Sequence, residues 1–170
     1  MYKIWLTVLG TGYLPLMPGT WASGVVLGVF VLAAGLGCPA WGVGVILVAL
    51  AGHGCWATVA YGDRFIDKYG EDPSLIVSDE QCGQAIAYLC YFWLGHTVGG
   101  IGEILIFGLI GFVLFRIFDI IKPPPAKQFD KMKGAWGVLL DDVMAGVYAN
   151  VLLQVIWWIY SSQFTVHSSQ

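Results

Sequence analysis

The sequence predicts an all-α integral membrane protein, a compact bundle of about five transmembrane or re-entrant helices with a polar site at the cytoplasmic face. Three observations carry that prediction. Hydrophobic residues make up 58% of the 170 and charged residues only 11%, against roughly 25% in soluble domains, and the mean hydropathy is +0.74. Of the eight basic and eleven acidic residues, all but Lys3 and Glu103 fall in two windows, 63–80 and 116–142. Between and around those windows lie five apolar segments. The length suits one membrane-embedded domain over 1–170, and a net charge of -3 says little about partners when so few charges face water. The partner to expect is the bilayer itself, with no role for nucleic acid.

Residues 1–20 form an N-terminal segment and motif loop. The opening "MYKIWLTVLG" carries one lysine and runs straight into Gly and Pro, so a cleaved signal peptide is not expected. The apolar segments follow at 21–36, 40–61, 81–95, 104–118 and 143–160, and a polar tail covers 161–170. A hydrocarbon core of about 30 Å needs about 20 helical residues. The second segment meets that length comfortably and the fifth adequately; the others must be tilted, re-entrant or lengthened by interfacial residues. The 23 glycines, as in "GVVLG" and "GLIG", offer small faces for close helix packing. Cys38, Cys55, Cys82 and Cys90 match neither a zinc nor a redox spacing and read as packing residues.

Orientation follows from Lys and Arg. Lys3, the Arg64/Lys68 stretch and the stretch holding Arg116, Lys122, Lys127, Lys131 and Lys133 alternate with loops near Pro39 and Gly99 that contain neither type. The positive-inside rule then places all three basic regions on the cytoplasmic side, with the C-terminus outside after five crossings. Lys127, Lys131 and Lys133 read most simply as topology anchors. Both charged windows and the loop "GTGYLPLMPGTWAS" therefore meet at one face.

At that face two acidic pairs, Asp79/Glu80 and Asp141/Asp142, each precede an apolar segment. An acid near a helix N-terminus is worth about 0.3–1 kcal/mol against the macrodipole, which accounts for one member of each pair. Adjacent like charges at a low-dielectric boundary repel, and a hard divalent cation such as Mg2+ resolves the conflict through carboxylate oxygens. Between the pairs, Arg116, Asp119 and Lys122 recur every three residues before the prolines of "IIKPPP" stop the helix. The plain alternative is a helical ion pair with Lys122 snorkelling. A basic fork beside a carboxylate cluster is, however, what a metal-bound phosphate requires. Gly19 and Thr20, just ahead of a helix, can add backbone N–H groups and a hydroxyl to such an anion. His53, His96 and His167 share no face with an acid pair and read as packing or surface residues.

Four blocks in this order, "GTGYLPLMPGTWAS", "DPSLIVSDEQCGQ", "FRIFDIIKPPPAKQFD" and "GAWGVLLDDVMAG", resemble the phosphatidylglycerophosphatase A family from about Gly10 to Gly146. The matching positions are Gly10, Gly12, Pro15, Pro18, Gly19 and Thr20 in the first block and Asp79, Glu80 and Gly83 in the second. They continue with Arg116, Asp119, Lys122, Pro123, Pro125 and Asp130 in the third, and Asp141, Asp142, Ala145 and Gly146 in the fourth. Two departures, Ala126 and the "GAWG" at 134–137, leave every charged position intact. The resemblance implies a membrane-bound, Mg2+-dependent phosphatase that removes the terminal phosphate of phosphatidylglycerophosphate to leave phosphatidylglycerol, in a bacterial inner membrane.

Under that implication Asp79, Glu80, Asp141 and Asp142 hold one or two Mg2+ ions, while Arg116, Lys122, Gly19 and Thr20 bind the phosphate. Asp119 or Asp130 serves as general base, nucleophile or further metal ligand. The rival from another class is a small cation transporter or channel subunit, because carboxylates at membrane depth also serve ion pathways. Its acids should face one another near mid-membrane.

Overall fold

Every element among the described residues is helical: α1 (Tyr2–Leu6), a 3-10 turn (Thr11–Tyr13), α2 (Pro18–Gly35), α3 (Ala40–Tyr69), α4 (Ser78–Tyr88), α5 (Tyr91–Leu94), a second 3-10 turn (Gly95–Thr97), α6 (Ile101–Ile121), α7 (Ala126–Phe129) and α8 (Ala135–His167). The computed structural model describes residues 2–15, 17–69 and 75–167. Within those limits α2, α3, α6 and α8 are each long and apolar enough to cross a membrane. The third pass is assembled from α4, α5 and the second 3-10 turn.

Contacts at the two ends show that α2, α3, the segment from α4 to the second 3-10 turn, α6 and α8 each run the length of the bundle, in alternation. At one end Gly19 of α2 lies against Glu80 of α4, Asp63 of α3 against Gly134 just ahead of α8, and Gly83 of α4 against Asp142 of α8. At the other end Gly35 meets Ile101, Gly95 meets Ala40, and Trp157 Nε1 donates to Thr97 Oγ1 at 2.9 Å. The middle is filled by large side chains from different passes. Phe30 stacks on Tyr88 with ring centroids 4.7 Å apart, Phe107 meets Trp157 edge-on at 5.1 Å, and Val43, Leu47 and Leu153 close the same core. Exposed tryptophans mark both ends: Trp5, Trp21 and Trp136 at the first, Trp41, Trp93 and Trp158 at the second. Two such belts are the signature of a bilayer-spanning bundle.

Three expectations change. The charges from Asp63 to Lys68 are the helical end of α3 rather than a loop, since nothing before Tyr69 interrupts the helix; residues 70–74, with Glu71 and Asp72, lie outside the described residues. Residues 161–167 of the expected polar tail continue α8, having neither Gly nor Pro to stop it, and 168–170 lie outside the described residues. Asp141 and Asp142 sit in the second turn of α8, not before it, because "AWGVLL" is already helical behind Gly134 at φ +83°. The macrodipole fades within the first turn, so capping accounts for neither aspartate.

The break after Tyr88 has no Pro or Gly to mark it. Carbonyls at this depth must be satisfied inside the protein; Ile86 O accepts the Leu89 N–H at 3.1 Å, and α8 supplies a further donor. Asn150 Nδ2 donates to Ile86 O at 2.8 Å and to Ala87 O at 3.3 Å, Gln154 Nε2 donates to Asn150 Oδ1 at 2.7 Å, and Trp93 Nε1 donates to Gln154 Oε1 at 3.3 Å. Replacing Asn150 with Leu leaves two carbonyls without that donor and lowers unfolding free energy by about 1–3 kcal/mol. Thermal or denaturant melting of the variant in detergent measures the loss.

Candidate active site

The polar end is built by α4 and α8. Two bonds fix where α4 starts: Val77 N donates to Leu6 O at 3.0 Å, and the buried hydroxyls of Thr58 and Ser78 share a hydrogen bond of 2.7 Å. Asp79 and Glu80 therefore emerge in the first turn of α4, where Asp79 Oδ1 accepts the Glu80 N–H at 3.0 Å. At Gly83 and Gly146 the backbones of α4 and α8 touch, with no room for a Cβ on either residue. That contact sets Asp142 beside the α4 pair. One oxygen each of Asp79, Glu80 and Asp142 then lies within 4.8 Å of the others, a group that could hold a metal ion.

Burial is what makes the cluster chemically tense. Asp79 and Asp142 are 5% and 4% exposed. Three neighbouring carboxylates enclosed in this way are costly as bare anions, because each has little water and faces like charge. A hard divalent cation at the cluster would offset that cost. Gly19 belongs to the same arrangement, since a Cβ there would collide with the Glu80 carboxylate.

The end of α6 supplies the next layer. Arg116 Nη1 stands 2.9 Å from Asp119 Oδ2. Lys122 caps α6 in the left-handed conformation, its N–H on Phe118 O at 2.8 Å. Its ammonium group bonds to Asp141 Oδ2 at 2.6 Å and to Asp130. Burial disfavours the Lys122 charge, but those two carboxylates outweigh it and raise the pKa above the ordinary lysine value. Asp141 is thus turned toward Lys122, while its neighbour Asp142 faces the cluster.

These groups surround a cavity of about 850 Å³. Of the residues expected at the site, Asp79, Glu80, Asp119, Lys122, Asp130, Asp141 and Asp142 line it, whereas Gly19, Thr20 and Arg116 do not. Arg116 reaches the cavity only through Asp119, and Gly19 only through Glu80; Thr20 uses its N–H on Met17 O at 2.9 Å. Four charged residues join that sequence reasoning had not placed there: Asp63, Asp67, Lys131 and Lys133. The signal for the first two was their i, i+4 spacing, which puts both on one face once α3 is allowed to continue. For Lys131 and Lys133 only proximity to the third block pointed the way. Asp63 has a defined task, because its Oδ1 accepts the N–H of Ala135 at 2.7 Å and so caps α8 from another helix. His53 stays apart from the acids, paired with Gln81 at 3.1 Å.

A family profile described as Phosphatidylglycerophosphatase A matches residues 4–157. The chain belongs to that family. Among curated proteins, it is 34% identical to a phosphatidylglycerophosphatase A of Haemophilus influenzae over 88% of this chain and 85% of the relative. It is 28% identical to a phosphatidylglycerophosphatase A of Escherichia coli over 86% and 78%. A Bacteroides thetaiotaomicron protein, whose name provisionally assigns it phosphatidylinositol-3-phosphatase activity, is 31% identical over 90% of this chain and 91% of its own. No solved structure shows a significant match. Family membership makes the chain a phosphatase, and the ion-pathway alternative finds no support: the acids gather at one end, and the core beyond them is packed with Phe30, Tyr88, Phe107 and Trp157.

The Asp63 cap yields a discriminating pair of variants. Asp63→Ala destabilises the protein by about 1 kcal/mol, the usual value of a lost cap, whereas Asp63→Asn keeps the accepting oxygen and most of the stability. Parallel melting curves in detergent check the difference.

Proposed function

We propose that the chain hydrolyses the terminal phosphate monoester of phosphatidylglycerophosphate to phosphatidylglycerol and phosphate, with Mg2+ bound at Asp79, Glu80 and Asp142. The observation that carries this reading is the convergence of three largely buried carboxylates on a cavity at one end of a membrane bundle. Eight carboxylates line that cavity against three ammonium groups. A phosphate dianion is repelled by such a lining until cations offset it, and the cluster is where the donor set suits a hard cation. Asp141 closes the edge of the set while engaged with Lys122.

Bound Mg2+ supplies charge neutralisation for the phosphate oxygens and a more acidic water. The chain's own groups do the rest. Lys122, held between Asp130 and Asp141, offers a fixed positive charge to the non-bridging oxygens that carry charge in a loose transition state. A water oxygen forms a bond to phosphorus as the bond from phosphorus to the glycerol oxygen breaks. The water loses a proton to a carboxylate, and the leaving oxygen gains one, so the products are inorganic phosphate and a free hydroxyl. Asp119 is the better placed acceptor, lying on the cavity wall and oriented by Arg116, whereas the Asp130 side chain is 47% exposed and held by Lys122. Arg116 acts here as a positioning residue.

All eight Lys and Arg residues lie toward the cavity end of the bundle, which supports an orientation with the site in the cytoplasm and the substrate taken from the inner leaflet of a bacterial inner membrane. The name of the Bacteroides relative favours a second substrate, phosphatidylinositol 3-phosphate. The two lipids share their chemistry: a polyol headgroup with a terminal monoester and an internal phosphodiester.

The test is phosphate release by the purified protein in detergent micelles from each lipid, with Mg2+ or with chelator. Release from phosphatidylglycerophosphate that requires Mg2+ is expected. Asp142→Asn should lower it by more than about 100-fold, since even the hydrogen-bond partners of metal ligands cost about 10–100-fold when removed. Asp141→Asn should lower it about tenfold, by loosening Lys122. An Asp142→Asn protein that keeps its activity removes the cluster from the mechanism.

A further inference from the structure

Lys131 and Lys133 line the cavity, while Lys127, four residues before the first of them, does not. Neither forms a salt bridge among the described residues, in contrast to Lys122, whose ammonium group is shared by Asp130 and Asp141. They are thus two ammonium groups not committed to ion pairs, on the rim of a cavity whose floor is a carboxylate cluster. From the phosphatase reading above, on which this rests, we infer that Lys131 and Lys133 form a second anion subsite, which takes the internal phosphodiester of a lipid headgroup while its terminal monoester lies at the cluster.

Three features support the assignment. The cavity, about 850 Å³, falls within the range of about 300–1,000 Å³ that holds a whole small molecule, so a headgroup fits and not only a phosphate ion. The loop presenting the lysines is held at both ends. Asp130 N donates to Ala126 O at 2.9 Å, Met132 N donates to Phe129 O at 2.8 Å, and beyond Lys133 the Ala135 N–H is bound by Asp63 at 2.7 Å. That last bond also occupies one oxygen of Asp63, an acid of the same cavity lining. The exposed neighbours Met132 and Trp136, 46% and 53% accessible, place the rim at the level of the membrane interface. A lipid lying in the bilayer carries its phosphodiester at that level, and its polyol arm points from there toward the cluster. Division of labour by charge follows: a cation-loaded carboxylate floor for the dianionic monoester, and an ammonium pair, two point charges, for the monoanionic diester.

The experiment compares phosphatidylglycerophosphate, which has both groups, with phosphatidic acid, which has the monoester alone. Wild-type protein and the variants Lys131→Met/Lys133→Met, Lys131→Arg/Lys133→Arg and Lys127→Met are assayed with Mg2+ in neutral-detergent micelles and again in micelles doped with phosphatidylglycerol. The Met pair should raise KM for the diester-bearing lipid about tenfold, with kcat within about twofold, the pattern of lost uniform binding. The preference over phosphatidic acid falls accordingly. The Arg pair should keep the preference, and Lys127→Met should behave as wild type. An equal loss on both lipids, no change in the ratio, or the same effect from Lys127→Met overturns the subsite. An effect confined to doped micelles also overturns it, assigning the lysines to neighbouring anionic lipids instead. Wild-type protein that releases phosphate from neither lipid fails the phosphatase reading itself, whereas active wild-type protein with an unmoved ratio fails only the subsite.

Discussion

The polar end of this molecule depends on how closely α4 and α8 approach. At Gly83 and Gly146 the two backbones are in contact, and a methyl group on either would wedge them apart. Small residues allow that approach between helices in a bilayer. Everything chemical nearby is set by it: Asp142 reaches Asp79 and Glu80 only because α8 lies directly on α4. One turn farther along α8 than Gly146, Asn150 meets the carbonyls where α4 ends. A single close crossing therefore assembles the carboxylates and also repairs the break in the third pass.

Polarity is distributed along the bundle in a way that matches the work proposed for it. Charges crowd one end, and some are locked together, Arg116 with Asp119 and Lys122 with Asp130 and Asp141. Beyond them come aromatic rings, and several polar groups there serve backbone, as with Tyr88 Oη donating to Gly108 O at 2.7 Å. A lipid headgroup can meet the carboxylates without leaving the interface. A cation crossing the bilayer would find no continuing path through Phe30, Phe107 and Trp157.

Much of this was legible in the sequence because apolar segments and charge windows are coarse, cumulative signals. The gathering of both acid pairs at one end follows from counting passes, and the four blocks name the family before any coordinates. What stayed hidden was local and three-dimensional. The extension of α3 through Asp63 and Asp67 was masked by its own charges, which resemble a loop when hydropathy alone sets the boundary. The division between Asp141 and Asp142 depends on a rotation of one residue, about 100° around α8, so adjacent letters face different partners. Arg116 looks like a ligand by spacing, yet its guanidinium is turned to Asp119. The break after Tyr88 carries no sequence mark, and the side chain that donates to it lies more than sixty residues away at Asn150.

That last dependence bears on how the protein comes to exist. With 11 residues, α4 extends only about 16 Å of the 30 Å hydrocarbon core, and four of its first seven residues are Asp79, Glu80, Gln81 and Gln84. Such a segment has no reason to remain buried in lipid alone. Its resting place is made by Gly146, Asn150 and Gln154, which leave the ribosome some sixty residues after it. The third pass is therefore a guest admitted once α8 arrives, and the polar end stays chemically incomplete until α8 has been synthesised.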